Sequence, residues 1–281
     1  MRTPRDFPRR TAAALAVALI LTGCRRTAPP PVPLSHFPDG RPRPVLRAVR
    51  REGIRLDGDL TDWQGIAFVP VTPATGVFDR ESGSTDDPAD LRYRFAVCHD
   101  DDALYVAVEV HDDALRVDDT APGETHARVW QDDGVEVFLD GNHNRAPNAR
   151  VKTGAEYAWG GEFSLGANGS ATSNCTGWPD SFGKPGYWQG AARIERRPGG
   201  GVVLRYEYRL TWRVMGGRVR PGDVIGFTIG VQDDDNGGVR DHALYWVGVT
   251  PHCWKDENGW GDLYLDPIRK GSAAARKPVS R

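Results

Sequence analysis

The chain has 281 residues, 39% of them hydrophobic and 26% charged, with a net charge of −2 at pH 7. That balance, with no basic stripe, excludes a nucleic-acid surface. Beyond the first 21 residues there is no apolar run long enough to cross a bilayer as a helix.

The first element is an export signal. Arg2, Arg5, Arg9 and Arg10 form a basic start, and Thr11–Leu21 is an apolar run too short to span a membrane. It closes on Leu21-Thr22-Gly23-Cys24, small residues directly before a cysteine, which resembles a bacterial lipobox. The expectation is that residues 1–23 are removed, that Cys24 is lipidated, and that the protein is exported and held at the outer membrane or facing the periplasm by lipid alone. Seven prolines between Arg25 and Val45 predict an extended tether over residues 24–45. Residues 46–266 are then one domain, and the small, basic, polar stretch 267–281 is a disordered tail.

Within the domain the pattern is of short strands and turns. Leu60–Ile66 reads as a short helical turn. Leu91–His99 and Leu104–His111 alternate about a polar Asp-rich turn, which makes a hairpin. Gly134–Asp140 is a strand with Val135, Val137 and Leu139 on one face and Glu136, Phe138 and Asp140 on the other. Ala191–Arg197 and Val202–Leu210 flank a Pro-Gly-Gly-Gly turn and form a second hairpin. Val224–Gln232, His242–Val249 and Gly261–Asp266 complete the set. No window carries a long amphipathic helix. The fold class is therefore all-β, an antiparallel β-sandwich.

Two stretches hold the candidate chemistry, Val129–Gly141 (VWQDDGVEVFLDG) and His252–Leu263 (HCWKDENGWGDL). Each sets a Trp among acids and glycine. An indole offers a flat apolar plate for the C–H face of a sugar ring, and a carboxylate accepts hydrogen bonds from hydroxyls. Trp130 and Trp254 are the candidate plates and Glu136 the candidate acceptor. Trp63 and Trp260, in segments that define the fold, read as packing residues.

Five segments in order, Ile54–Trp63, Ala103–Asp112, Trp130–Asp140, Val224–Asp233 and Trp260–Leu265, are similar to those of carbohydrate-binding module family 9 and to the wider set of DOMON-like domains. The resemblance covers residues 53–266. It implies a β-sandwich, non-catalytic binding of a poly- or oligosaccharide by a monomer, and structural calcium. It also implies that Trp130 and Trp254 sandwich a terminal sugar and that Glu136 contacts its hydroxyls. Two positions depart from the family pattern: Pro251 stands where an asparagine is common, and Ser164 where an arginine is. For calcium the candidate ligands are Asp233 and Asp235, in a loop that lacks the closing glutamate of an EF-hand, and Asp140.

Other classes stay open at this point. A pair among the many acids could make a glycoside-active enzyme, which needs two carboxyls facing one bond. DOMON-like relatives also include haem-binding redox domains, although Met215 is the only methionine after Met1. Cys98 lies in a strand pattern and reads as a small core residue. Cys175 and Cys253 fall in loops of an oxidising compartment and are candidates for a disulfide.

Overall fold

The computed structural model describes residues 35–145, 158–175 and 181–267. The export signal, Cys24, the first part of the tether and the tail from residue 268 lie outside the described residues. The described residues form thirteen strands: β1 (Val45–Arg50), β2 (Val69–Val71), β3 (Val77–Phe78), β4 (Leu91–His99), β5 (Ala103–Asp112), β6 (Gly134–Asp140), β7 (Gly160–Gly166), β8 (Ala171–Cys175), β9 (Trp188–Arg196), β10 (Val202–Thr211), β11 (Val224–Asp233), β12 (His242–Tyr245) and β13 (Gly261–Leu265). The helical residues among those described are short 3-10 turns, one of them the expected turn at Leu60–Trp63.

The strands make two layers. One runs β8-β7-β6-β11-β13, with β12 beside β11 and β3 beside β12; the other runs β9-β10-β5-β4, with β2 beside β4. β1 joins them. It runs parallel to β13 through Val45–Ala48 and parallel to β4 through Val49 and Arg50, so the sheet curls through it from one layer to the other. The other pairings are antiparallel.

The alternating pattern decides what faces what. Val135, Val137 and Leu139 of β6 and Ile229 and Val231 of β11 face the other layer and are buried with Val106, Val108, Tyr206 and Tyr208. Hydrogen bonds cross the same interface, from Tyr208 Oη to Val135 O at 2.7 Å and from Tyr93 Oη to Ile229 O at 3.2 Å. Trp188 stacks on Tyr208 and is fully buried. The outer face of β4-β5-β10 carries the small residues Ala96, Cys98, Ala103 and Ala107. Trp63 covers them, its indole N–H donating to Glu207 at 2.8 Å.

Three expectations change. β12 stops at Tyr245 rather than Val249, because Trp246 turns inward against Phe95 and Phe227 (ring centroids 5.5 and 6.0 Å) while its N–H donates to Ile229 O. The chain from Ser35 to Pro44, expected as tether, is folded onto the domain. Phe37 and Arg43 are buried, and the Arg41 and Arg43 guanidiniums lie 5.3 and 4.5 Å from the Phe37 ring. One aromatic and two arginines outweigh the proline count there. Cys175 and Cys253 form no disulfide with each other. Each is buried in a separate cluster, Cys175 beside Ser181 and Cys253 with Tyr245 and Trp260. Cys98 is buried as expected.

Candidate functional site

Trp130, Glu136 and Trp254 line one cavity of about 320 Å³, together with Glu81, Glu162, Asn174, Arg240 and Tyr245. Each arrives from a different element. Trp130 sits on a 3-10 turn (Val129–Gln131) directly before β6, Glu136 is the third residue of β6, and Trp254 lies in the β12–β13 loop. Both indoles are partly exposed, as plates that meet a ligand must be. Trp254 leans on a cluster of Phe138, Tyr245, Cys253 and Trp260, with the Lys255 ammonium 4.9 Å from its ring. Trp63 and Trp260 are buried, as packing residues should be.

Glu136 departs from the simplest reading of its strand. The face of β6 opposite the core is not open to water; the β12–β13 loop covers it, and Glu136 is 3% exposed. Its carboxylate accepts from Gln232 Nε2 at 2.7 Å, Tyr245 Oη at 3.3 Å and Ser164 Oγ at 3.4 Å. Gly230 makes this possible. It pairs with Glu136 on one side and Tyr245 on the other, and a Cβ there would sit 2.6 Å from the tyrosine ring. Burial, then the neighbouring Glu162 charge, push the Glu136 carboxyl up to about 8, while Arg240 and the tyrosine and serine hydroxyls pull it down.

Four polar residues of the cavity were not singled out from sequence. Glu162 on β7 is a diagonal neighbour of Glu136, since β7 pairs Ser164 with Glu136 and Glu162 with Phe138. Asn174 on β8 pairs with Glu162 and donates to it at 3.2 Å. Arg240 Nη1 donates to Trp130 O at 3.1 Å, which ties the β11–β12 loop to the first plate. Glu81 pairs with His252 at 2.8 Å at the mouth. Strand register supplies two of these, and one sequence carries no register. The acid-rich composition of the Arg240 loop hid its single useful cation.

Ser164 Oγ lies 3.4 Å from a carboxylate oxygen of Glu136 and 3.4 Å from one of Glu162, within reach of both for its single O–H. The two carboxylates therefore stand side by side on one floor.

A second acidic centre lies where Asp233 ends β11. Asp112, Asp133 and Asp233, all buried, bring carboxylate oxygens within 4.8 Å of one another, and Asp90 with Asp113 and Asp235, and Asp90 with Asp233 and His242, do the same. Burial and mutual repulsion push Asp112 and Asp233 up to about 8, Asp133 to about 9 and Asp235 to about 6. Asp233 Oδ1 and Asp235 Oδ1 are buried without a hydrogen-bond donor. A nest of carboxylates with idle oxygens fits a hard divalent cation. Asp140 stands apart: it belongs to no such group among the described residues and accepts from the Arg145 N–H at 3.1 Å.

A curled β-sandwich with an aromatic slot over buried carboxylates is the architecture of a carbohydrate-binding domain. The model of the Carbohydrate family 9 binding domain-like family matches residues 70–267, and the chain belongs to that family. Endo-1,4-beta-xylanase A of Thermotoga maritima is 28% identical over 183 residues, which are 65% of this chain and 14% of the xylanase. Exoglucanase XynX of Acetivibrio thermocellus is 26% identical over 181 residues, 64% of this chain and 14% of that protein. The chain thus matches only about a seventh of these relatives. Among solved structures, a family 9 module of Caldicellulosiruptor kristjanssonii in complex with cellotriose covers 84% of this chain and 100% of the module, at a TM-score of 0.56 and 21% identity. The glucose complex covers 81% and 98%, at a TM-score of 0.57 and 20% identity.

Proposed function

We propose that this is a non-catalytic glycan-binding domain in which Trp130 and Trp254 hold a sugar ring between them while Glu136, backed by Glu162, Asn174 and Arg240, takes its hydroxyls. The observation that carries this is the convergence of two partly exposed indoles, remote in sequence, on one cavity floored by a buried carboxylate. Each plate contributes apolar contact and each polar group fixes orientation. A slot of this size supports modest affinity, with Kd of ~µM to mM, or about 4–8 kcal/mol. The cellotriose-bound module and the xylanase and exoglucanase relatives make cellulose- and xylan-derived oligosaccharides the first ligands to try.

Calcium is the cation that suits the acidic centre. Asp112, Asp133 and Asp233 would hold it, with Asp90, Asp113 and Asp235 near by, and it would supply charge that neutralises buried carboxylates. The chain's own part is to keep those oxygens together at the ends of β5, β6 and β11. The N-terminal signal and Cys24 support export and lipid anchoring, with the domain a monomer displayed at the membrane surface and touching it through lipid only.

Affinity electrophoresis through a panel of soluble polysaccharides, with and without chelator, tests the reading. The parent should be retarded by at least one β-glucan or xylan. Free migration on every glycan would sink the proposal, and release of reducing sugar would make the protein an enzyme instead.

A further inference from the structure

The slot is braced by a part of the chain that the family match leaves out. That match begins at residue 70. The turn from Ser35 to Arg43 packs against the segment that follows Trp254 in sequence. Phe37 N–H donates to Arg41 O at 2.8 Å, and the arginines on the Phe37 ring close the turn. Arg43 is 3% exposed. Its guanidinium donates to His36 O at 3.1 Å within the turn, and across to Trp260 O at 2.6 Å and Asn258 Oδ1 at 3.0 Å. Trp260 then reaches back to the plate, its indole N–H donating to Cys253 O at 2.8 Å. Cys253 directly precedes Trp254, whose ring rests on the Trp260, Tyr245 and Phe138 cluster. Two further bonds hold the turn in place, Ser35 Oγ to Asp262 and Asp262 N–H to Pro44 O at 2.9 Å.

We infer that Arg43 is a positioning residue for the second plate, so that the glycan slot is complete only when the turn Ser35–Arg43 is docked. Arg43 is not among the residues that line the cavity. It fixes the carbonyl of Trp260 and the Asn258 turn, and through them the angle at which the Trp254 indole faces Trp130. A planar five-donor group suits this task, because it satisfies three acceptors at once, where an ammonium on the same stem would reach fewer of them. The loop otherwise has little regular structure to hold it: between β12 and β13 the described chain has a single 3-10 turn, Glu257–Gly259. The inference rests on the glycan-slot reading above, and the two can fail separately.

The test uses the full chain with 5-fluorotryptophan, the Trp254 and Trp130 resonances being assigned by their loss in Trp254→Phe and Trp130→Phe. Binding of cellotriose is measured by titration. In Arg43→Ala the Trp254 resonance should shift or broaden while that of Trp130 stays, and Kd should rise about five- to tenfold with the fold kept. Arg43→Lys, which retains one donor, should recover part of both. Should Arg43→Ala fail to fold, Asn258→Ala removes one acceptor and should move the Trp254 resonance in the same way. An unchanged Trp254 resonance in the folded Arg43 or Asn258 variant overturns the inference. If Trp254→Ala binds cellotriose as the parent does, the slot reading falls instead, and the resonance alone decides the role of Arg43.

Discussion

Gln232 on β11 donates to Glu136 on β6 at 2.7 Å, and the next residue along β11, Asp233, belongs to the acidic centre. Successive residues of a strand point to opposite faces, so a step of a single residue joins the slot to the carboxylate nest. Trp130 is tied in the same way, since Asp132 and Asp133 follow it. Asp133 accepts from Asp234 N–H at 2.9 Å and Arg116 N–H at 2.6 Å.

The plates give the most direct prediction. Trp130→Ala and Trp254→Ala should each weaken glycan binding at least about tenfold, about 1.4 kcal/mol, in line with loss of a central aromatic contact. Circular dichroism should be unchanged, because both rings are partly exposed. Affinity electrophoresis reads the loss, and parental retardation in both variants would reject the plates.

Glu136 makes stability depend on pH. Its folded value, about 8, lies above its ordinary value of 4.5. Between those values the fold holds a proton that the unfolded chain has released, so stability falls as pH rises from about 4.5 to about 8. Glu136→Gln keeps the shape and removes this titration. The variant should match the parent near pH 5 and melt several degrees or more higher at pH 8, measured by calorimetry. An offset independent of pH would contradict the assignment.

The acidic centre should respond to calcium, and more strongly at high pH. Asp112, Asp133 and Asp233 have folded values of about 8, 9 and 8 against 3.8 ordinarily, so below those values a cation must displace protons. At a concentration a hundredfold above Kd the gain is about 2.7 kcal/mol, or a Tm rise of about 5–10 °C for a domain of this size. The rise should be larger at pH 8 than at pH 5, reversed by chelator, and lost in Asp133→Asn. Equal melting curves with calcium and with chelator at pH 8 would exclude the site.

Glu207 predicts the cost of a buried acceptor. It takes hydrogen bonds from the Trp63 indole at 2.8 Å and from the Asp57 and Gly58 N–H groups at 2.9 and 2.7 Å. Glu207→Ala leaves three donors without their acceptor and should cost about 3 kcal/mol in denaturant unfolding. Glycan affinity should hold, because Glu207 lies on the outer face of the other layer. A loss below about 1 kcal/mol would mean that water replaces the carboxylate.

Much of the strand layout could be read from alternation, and β6 emerges with its expected ends because Gly134 and Asp140 bound a segment whose Val135, Val137 and Leu139 recur at every second residue. The sequence also pointed to Trp130, Glu136 and Trp254, through local composition and family likeness. What it could not carry was lateral order. Glu162 and Asn174 reach the slot only because β7 and β8 add beside β6 in a particular register. The acidic centre gathers carboxylates from the ends of β5 and β11, the turn before β6 and the chain ahead of β4. Nothing local to Glu136 announces that a distant loop will fold over its face of β6. Ser35–Pro44 looked extended because proline content is read locally, whereas two of the three acceptors of Arg43, Trp260 O and Asn258 Oδ1, lie more than two hundred residues away.

The curl through β1 also bears on how the molecule forms. Val45 pairs with Asp262 and Val49 with Cys98, so the strand that welds the layers needs a partner from near the far end of the described chain. Such closure over a long loop is slow. The ligand-competent state would therefore be among the last to form, and a nascent chain emerging amino-end first would wait with sticky, half-paired edges until β13 arrives. That delay makes completion of the β1–β13 pairing a matter of yield as well as of function.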